Sequence, residues 1–477
     1  MPDSSENLFN YSSGHWIIND NLRLAERRHE FEVDKLCRLA VQSVGRRPQD
    51  IDTFVKLTKG GFNRIFLITM HDGFQMVARI PYPVTVPKFY AITSEVATMC
   101  FLRASGLPVP EVYDYSPSSD NAAKTEYIFM EFMRGTKLSD VWMELEEPDI
   151  ASVLRQIAQL ESRMMSISFS ADGSLYYADD LEKVAARTGI LLNDESFCIG
   201  PDARLHMWYG RRSQLDVDRR PYESPEAVLV AAASKEQAYL EWFGRLLLPF
   251  QHERREAYGY GEQSPSDHTK NLECYLLIAP LLIPKKSSLY NIRIRHPDLQ
   301  PSNVIMSTSS GSNHLKIVGL LDWQHAPILP EQINAIGLYH HHLVHFHYVK
   351  NTEEYNKLHH DALSDPMFTF ICCLFDQAGA PWEGGGVPCP VEFEPKDLCK
   401  TKKLSKKLQL ADENFEAYRG MVGFETETWV SNEHYEMAMA LAELLKLKVL
   451  TRVPEGEVRA KTEANWFLDD MDEENYM

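Results

Sequence analysis

An α+β chain of two lobes is what this sequence predicts: a small antiparallel β-rich lobe with one helix, then a larger, mainly helical lobe. Three observations lead there. Between Phe54 and Ile80, three β-like runs are separated by turn residues. From Asp149 onward, apolar residues recur at helical spacing. Deep in that helical part, the polar stretch Arg295 to Asn303 lies between two further β-like runs, Leu289 to Ile294 and Val304 to Met306.

Taken in order, residues 1–50 read as an arm with one helix centred on Phe31 to Val44, where Phe31, Val33, Leu36, Leu39, Ala40 and Val44 form one stripe. Phe54 to Leu57 opens the small lobe, residues 51–135, and Lys59-Gly60-Gly61-Phe62-Asn63 turns the chain. Ile65 to Met70 runs back, His71-Asp72-Gly73 turns again, and Phe74 to Ile80 is the third strand. Ser94 is the expected N-cap of the lobe's helix and Gly106 its stop. Val109 to Tyr115 and Glu126 to Met133 follow as strands, the second leading into the large lobe, residues 136–455. There the helix from Asp149 to Ser166 is expected to bury Ile150, Val153, Leu154, Ile157, Leu160 and Met164. Residues 167–232 look irregular, and Ser234 to Phe250 and Asp267 to Ile283 resume as helices. The last segment, 456–477, is acidic, and its run Asp469 to Glu474 reads as a solvated end. No internal repeat is visible.

Bulk properties narrow the function. A formal charge of −19 repels a phosphate backbone over most of the surface, which argues against nucleic acid as the main partner. The eight cysteines form no Cys-x-x-Cys pair and several sit in apolar helical patterns, as buried thiols in a reducing, intracellular compartment do. Apolar runs such as Leu276 to Ile283 are too short to span a bilayer, so no membrane insertion is expected. The acidic start, Met1 to Asn7, lacks the features of a signal or transit peptide.

The chemistry concentrates at Asp298, Asn303 and Asp322. Asp298 stands five residues before Asn303 between two strands, and Leu315 to Trp323 is an apolar strand that delivers Asp322 at its end. Two carboxylates and a carboxamide from neighbouring strand ends are what a Mg-nucleotide phosphotransfer site needs. His-x-Asp-x-x-x-x-Asn fixes only three positions and is weak by itself. The plainer alternative is a local turn in which Asp298 and Asn303 are turn formers.

Together, Lys59-Gly60-Gly61-Phe62-Asn63, Val77-Ala78-Arg79, Glu95, His296-Pro297-Asp298 to Asn303 and Leu321-Asp322-Trp323 resemble the aminoglycoside phosphotransferase family, of protein-kinase-like fold. Its fungal branch of altered inheritance of mitochondria protein 9-like proteins matches further phrases, such as Ala78 to Pro83 and Phe197 to Pro201. That resemblance implies ATP and Mg2+ as cofactors and a small-molecule hydroxyl acceptor. It implies Asp298 as the group that accepts or orients the acceptor's proton, Asn303 and Asp322 as Mg2+ ligands, and His296 as a structural brace. Gly60, Gly61, Phe62 and Asn63 would approach the triphosphate, Arg79 and Glu95 would form the phosphate-side ion pair, and main-chain groups near Glu131 and Met133 would meet adenine. Arg79 departs from the family's lysine and, with the abbreviated glycine turn, keeps open a nucleotide-binding pseudokinase or scaffold supporting mitochondrial function. Lys88 is a nearby substitute cation, though its setting reads as loop. By resemblance the location is mitochondrial; the N-terminus leaves cytoplasm open.

Two other features invite readings. His340 to His347 could hold a metal through His341 and His345, but no Glu follows the first His as a zinc-protease pattern requires, and a helix with partly exposed histidines is favoured. Trp208, Tyr209 and the arginines Arg211, Arg212, Arg219 and Arg220 read as packing and charge pairs.

Overall fold

The computed structural model describes residues 8–11, 13–59, 61–184, 189–282, 291–308, 315–330, 395–425 and 428–473. After a short strand β1 (Gly14–Trp16) and helices Asp20–Arg27 and Val33–Ser43, the β-branched and aromatic runs of the small lobe build one antiparallel sheet. Its strands are β2 (Ile51–Lys59), β3 (Asn63–Met70), β4 (Gln75–Pro81), β5 (Val112–Ser116) and β6 (Tyr127–Glu131), in the order β2-β3-β4-β6-β5. Burial alternates residue by residue along β3, as a period-two strand requires. Phe66, Ile68, Met70, Met76, Ala78 and Ile80 pack in one cluster with Leu36, Ala40 and Val41 of the arm helix. Val77, Ile128 and Met130 instead join Ile92, Val96 and Met99 of the helix Lys88–Ala104. The sheet thus lies between two helices, and β4 is buried on both faces. Each large side chain fully removed from water here stabilises the lobe by roughly 1.5–3 kcal/mol.

The lobe's helix starts seven residues earlier than Ser94 suggests. Pro87 is its N-cap and Ser94 is 1% exposed in its interior. Phe89, Tyr90, Ala91 and Ile92 belong to its first turns, and a proline just before the helix sets the entry without a side-chain cap.

Arg64 fixes the arm to the sheet. It is 1% exposed and donates to the backbone carbonyls of Phe9 (2.8 Å), Arg27 (2.9 Å) and His29 (3.3 Å). Those bonds satisfy donors whose burial would otherwise be costly.

In the large lobe, the helix Glu147–Ser166 buries Ile150, Val153, Leu154, Ile157 and Met164, with Leu160 packed at the margin. Gln156 on this helix serves a sheet edge as another strand would: its Nε2 donates to Leu315 O and its Oε1 accepts from Ile317 N–H, both at 2.9 Å. The segment read as irregular contains a sheet of β8 (Ser174–Tyr177), β9 (Ile190–Leu191) and β10 (Phe197–Gly200). Strands of two to four residues are too short to leave a periodic signal. The next helices run Pro225–Phe243 and Pro265–Ile278, capped by Ser224 and Ser264. The pair β11 (Ile292–Ile294) with β14 (Ile328–Pro330), and the sheet of β13 (Leu315–Leu320), β12 (Val304–Thr308) and β7 (Thr136–Lys137), carry the polar segments.

The acidic end is not a solvated tail where it is described. Asn19 donates through its backbone to Asp470 (2.6 Å) and through Nδ2 to Met471 O (2.8 Å) and Glu473 (2.7 Å). Glu473 is 3% exposed and also pairs with Arg23. Trp466, Phe467 and Leu468 join Ile17 and Ile18 in a separate cluster, and β1 pairs with β15 (Trp429–Ser431). Charge patterning misled here because Asp469, Asp470 and Glu473 each have a specific partner elsewhere in the chain.

Candidate active site

The site grows from three segments tied together by hydrogen bonds. His296, in the Arg295–Asn303 stretch, is 1% exposed and bridges to the residue after β13. Its Nε2 lies 2.9 Å from Leu321 O, which can only accept, so Nε2 carries the proton and Nδ1 accepts the Asp298 N–H at 3.1 Å. Burial holds the His296 imidazole down at about 4, so the ring is neutral. Asn303 continues the network: Nδ2 donates to Asp298 O (2.8 Å) and Asp298 Oδ2 (3.2 Å), while Leu321 N–H donates to Asn303 O (2.8 Å). Gln300 Nε2 donates to the same Asp298 oxygen at 2.6 Å.

Asp322 follows β13 in the left-handed region, φ 67°. For a non-glycine residue that costs about 1–3 kcal/mol and turns the carboxylate out of the strand direction. It lines a cleft of about 610 Å3 together with Asn303, Arg79, Gly61, Phe62, Asn63 and Met133. Burial pushes the Asp322 carboxyl up, but the charge and hydrogen bond of Arg79 outweigh this and hold it below the usual carboxylate range.

Arg79 forms the ion pair expected with Glu95, Nη1 to Oε1 at 2.5 Å, with both side chains buried. Its other prong does what the sequence did not reveal: Nη2 donates to Asp322 Oδ1 (2.7 Å) and Gln324 Oε1 (3.0 Å). One atom of the Asn63 amide lies 2.6 Å from Nη2 and 2.7 Å from Gln324 Oε1, so Asn63 and Gln324 cannot both turn an oxygen to this prong. Burial raises the Glu95 carboxyl to about 7 against the pull of Arg79. Gln324, 7% exposed, was missed; the only sequence signal is a polar residue two places after Asp322 in an otherwise buried segment.

The remaining predicted residues fall as follows. Gly61 has no protein atom within 4 Å of where a Cβ would stand, so the fold does not demand glycine there. Gly60 lies outside the described residues, as does His340 to His347. Phe62 accepts from Tyr82 N–H (2.9 Å) and Thr85 Oγ1 (2.6 Å) and meets His325 edge-on, 6.1 Å between centroids. Glu131 lines the cleft, but its N–H donates to Glu111 O (2.8 Å) and its carboxylate pairs with Arg103 (3.0 Å). The Met133 N–H has no acceptor among the described residues. Lys88 opens a helix and pairs with Glu126 at 3.4 Å, away from the cleft. Arg219 stacks on Trp208 (4.1 Å) and Arg212 pairs with Glu236 (2.7 Å).

Asn303 and Asp322 fit Mg2+ as a donor set. Because Asn303 Nδ2 faces Asp298, its Oδ1 is directed elsewhere, and both residues line one cleft. One or two hard oxygen donors beside substrate phosphates is how this ion is usually held. Among the described residues, no group of three His, Cys, Asp or Glu side chains forms a separate metal site.

Comparison with known proteins follows the same line. A subtelomeric hrmA-associated cluster protein of Aspergillus fumigatus is 26% identical, over 84% of this chain and 94% of the relative. Altered inheritance of mitochondria protein 9, mitochondrial, of Yarrowia lipolytica is 25% identical over 68% of this chain, which spans 59% of that relative. Similar solved structures include the GDP complex of aminoglycoside 2'-phosphotransferase-IIIa, 12% identical with TM-score 0.39, covering 80% of this chain and 97% of that one. A putative fructosamine-3-kinase from Thermobifida fusca is 12% identical with TM-score 0.36, covering 79% of this chain and all of that one. No described helix is long and apolar enough to cross a membrane. The family model for phosphotransferase enzymes matches residues 53–329, more than half of the sequence, and the chain belongs to that phosphotransferase enzyme family.

Proposed function

We propose that the protein is a Mg-ATP-dependent phosphotransferase that moves the γ-phosphate to a hydroxyl of a small-molecule acceptor. The observation that carries this reading is the convergence of Arg79, Asn303 and Asp322 on one cleft, with Asp298, which is not itself a lining residue, accepting a hydrogen bond from Asn303. Adenine would lie against the Met133 N–H, and the triphosphate would run under the turn at Gly61 and Phe62. Asn303 and Asp322 would hold Mg2+, which supplies charge neutralisation of the β- and γ-phosphates. Asp298, braced by the neutral His296, would orient the acceptor hydroxyl and take its proton. With Gln300 and Asn303 both donating to Oδ2, Asp298 is fixed in position before any substrate arrives.

A second reading, a nucleotide-binding scaffold without turnover, draws on the ion pair between Arg79 and Asp322. The name of the Yarrowia lipolytica relative supports a mitochondrial setting for either reading. One set of measurements separates them. The enzyme reading expects a Mg-dependent thermal shift with ATP and slow ATP hydrolysis, both lost in Asp322→Ala. Asp298→Ala should keep nucleotide binding and lower turnover by about 10²–10⁴. Binding without turnover across a broad panel of hydroxyl acceptors supports the scaffold, and no shift with ATP or GTP overturns both.

A further inference from the structure

We infer that Arg79 is a built-in counter-cation of Asp322, shared with Glu95 and Gln324, and that Asp322 becomes available to a divalent cation only when Arg79 releases it. This rests on the Mg-nucleotide reading above. A guanidinium is a planar fork, and here each prong serves a different partner. Nη1 meets Glu95 Oε1 at 2.5 Å, while Nη2 is divided between Asp322 Oδ1 at 2.7 Å and Gln324 Oε1 at 3.0 Å. The bridge joins the helix Lys88–Ala104 of the small lobe to the segment after β13 in the large one. A lysine ammonium is a single point charge and could not span both carboxylates in the same way.

The two ends of the bridge differ. Side chains at the Glu95 end are 7% and 2% exposed, whereas Asp322 is 46% exposed toward the cleft. Water and cations in the cleft reach the Asp322 contact and not the Glu95 contact, so the fork lets go at Asp322 first. Gln324 gives Nη2 an alternative acceptor when it does. Released in this way, Arg79 stays tethered by Glu95 with Nη2 directed into the cleft.

The test uses the full chain with Mn2+ as probe, free Mn2+ being read by electron paramagnetic resonance at saturating AMP-PNP. Arg79→Lys and Gln324→Ala both leave net charge unchanged, so a change in the general field produces neither shift. Arg79→Lys should bind Mn2+ roughly two- to fivefold more tightly, because a competing cation has lost its grip on Asp322. Gln324→Ala should bind it more weakly, because Nη2 is left with Asp322 as its main acceptor. Unchanged affinity in both, or shifts of the same sign, overturns the inference. If Arg79→Lys does not fold, Gln324→Ala decides alone: unchanged or tighter binding refutes it. Wild-type protein that binds no Mn2+ with AMP-PNP overturns this inference and the reading beneath it; wild-type binding without opposite shifts overturns this inference alone.

Discussion

Acidification should unlock the loop that holds Asp298, and His296 sets the size of the effect. Its imidazole titrates near 6.5 when unfolded and near about 4 in the fold, because burial disfavours the charged ring. A base whose folded value is depressed contributes full stability above the unfolded value and loses it as pH falls through the folded one. At about 1.36 kcal/mol per unit, the window from 6.5 to about 4 is worth about 3 kcal/mol. The geometry gives the reason: a proton on Nδ1 would face the Asp298 N–H at 3.1 Å, donor against donor, while Nε2–H keeps Leu321 O. Urea midpoints at pH 7 and pH 4.5 for wild type and His296→Gln provide the assay. The variant should be less stable at pH 7 but lose about 2–3 kcal/mol less than wild type on acidification. Equal losses in the two proteins would show that His296 is not the titrating brace, and the account of the loop would be wrong.

Other perturbations test the frame around the site. Gly135→Ala should destabilise by about 2 kcal/mol or more in denaturant titration, since φ is +153° and a Cβ would stand 2.3 Å from Met306 O. Gly61→Ala should leave thermal stability within about 0.5 kcal/mol, nothing lying within 4 Å, yet weaken ATP binding measured by calorimetry; unaltered affinity would exclude close phosphate approach there. Asn19→Ala removes the side-chain bonds with Met471 and Glu473 and keeps the backbone bond to Asp470, and should cost about 2–4 kcal/mol with faster proteolysis of the C-terminal segment.

What the sequence made legible and what it hid divide on physical grounds. The small-lobe strands and the helix Glu147–Ser166 were readable because period-two and period-3.6 patterns are local consequences of burial on one face. Asp298, Asn303 and Asp322 could be singled out because strand ends present polar residues in fixed order along the chain. Ser94 misled as a cap because serine is favoured at helix starts, whereas here a buried contact of the sheet-facing helix uses it. The tail misled for a different reason: Asn19 and Glu473 are 454 positions apart, and no local pattern announces such a pair. Arg79 is the instructive case. Residue type alone makes it a departure from a lysine, which reads as a fault in a catalytic site. Only the fold places Glu95, Asp322 and Gln324 around one guanidinium, and then the extra prong has a partner that lysine could not reach. The departure therefore belongs with Gln324 and Asn63 as one arrangement, and its consequence lies in competition for Asp322, where a change at position 79 alters cation affinity before it alters the fold.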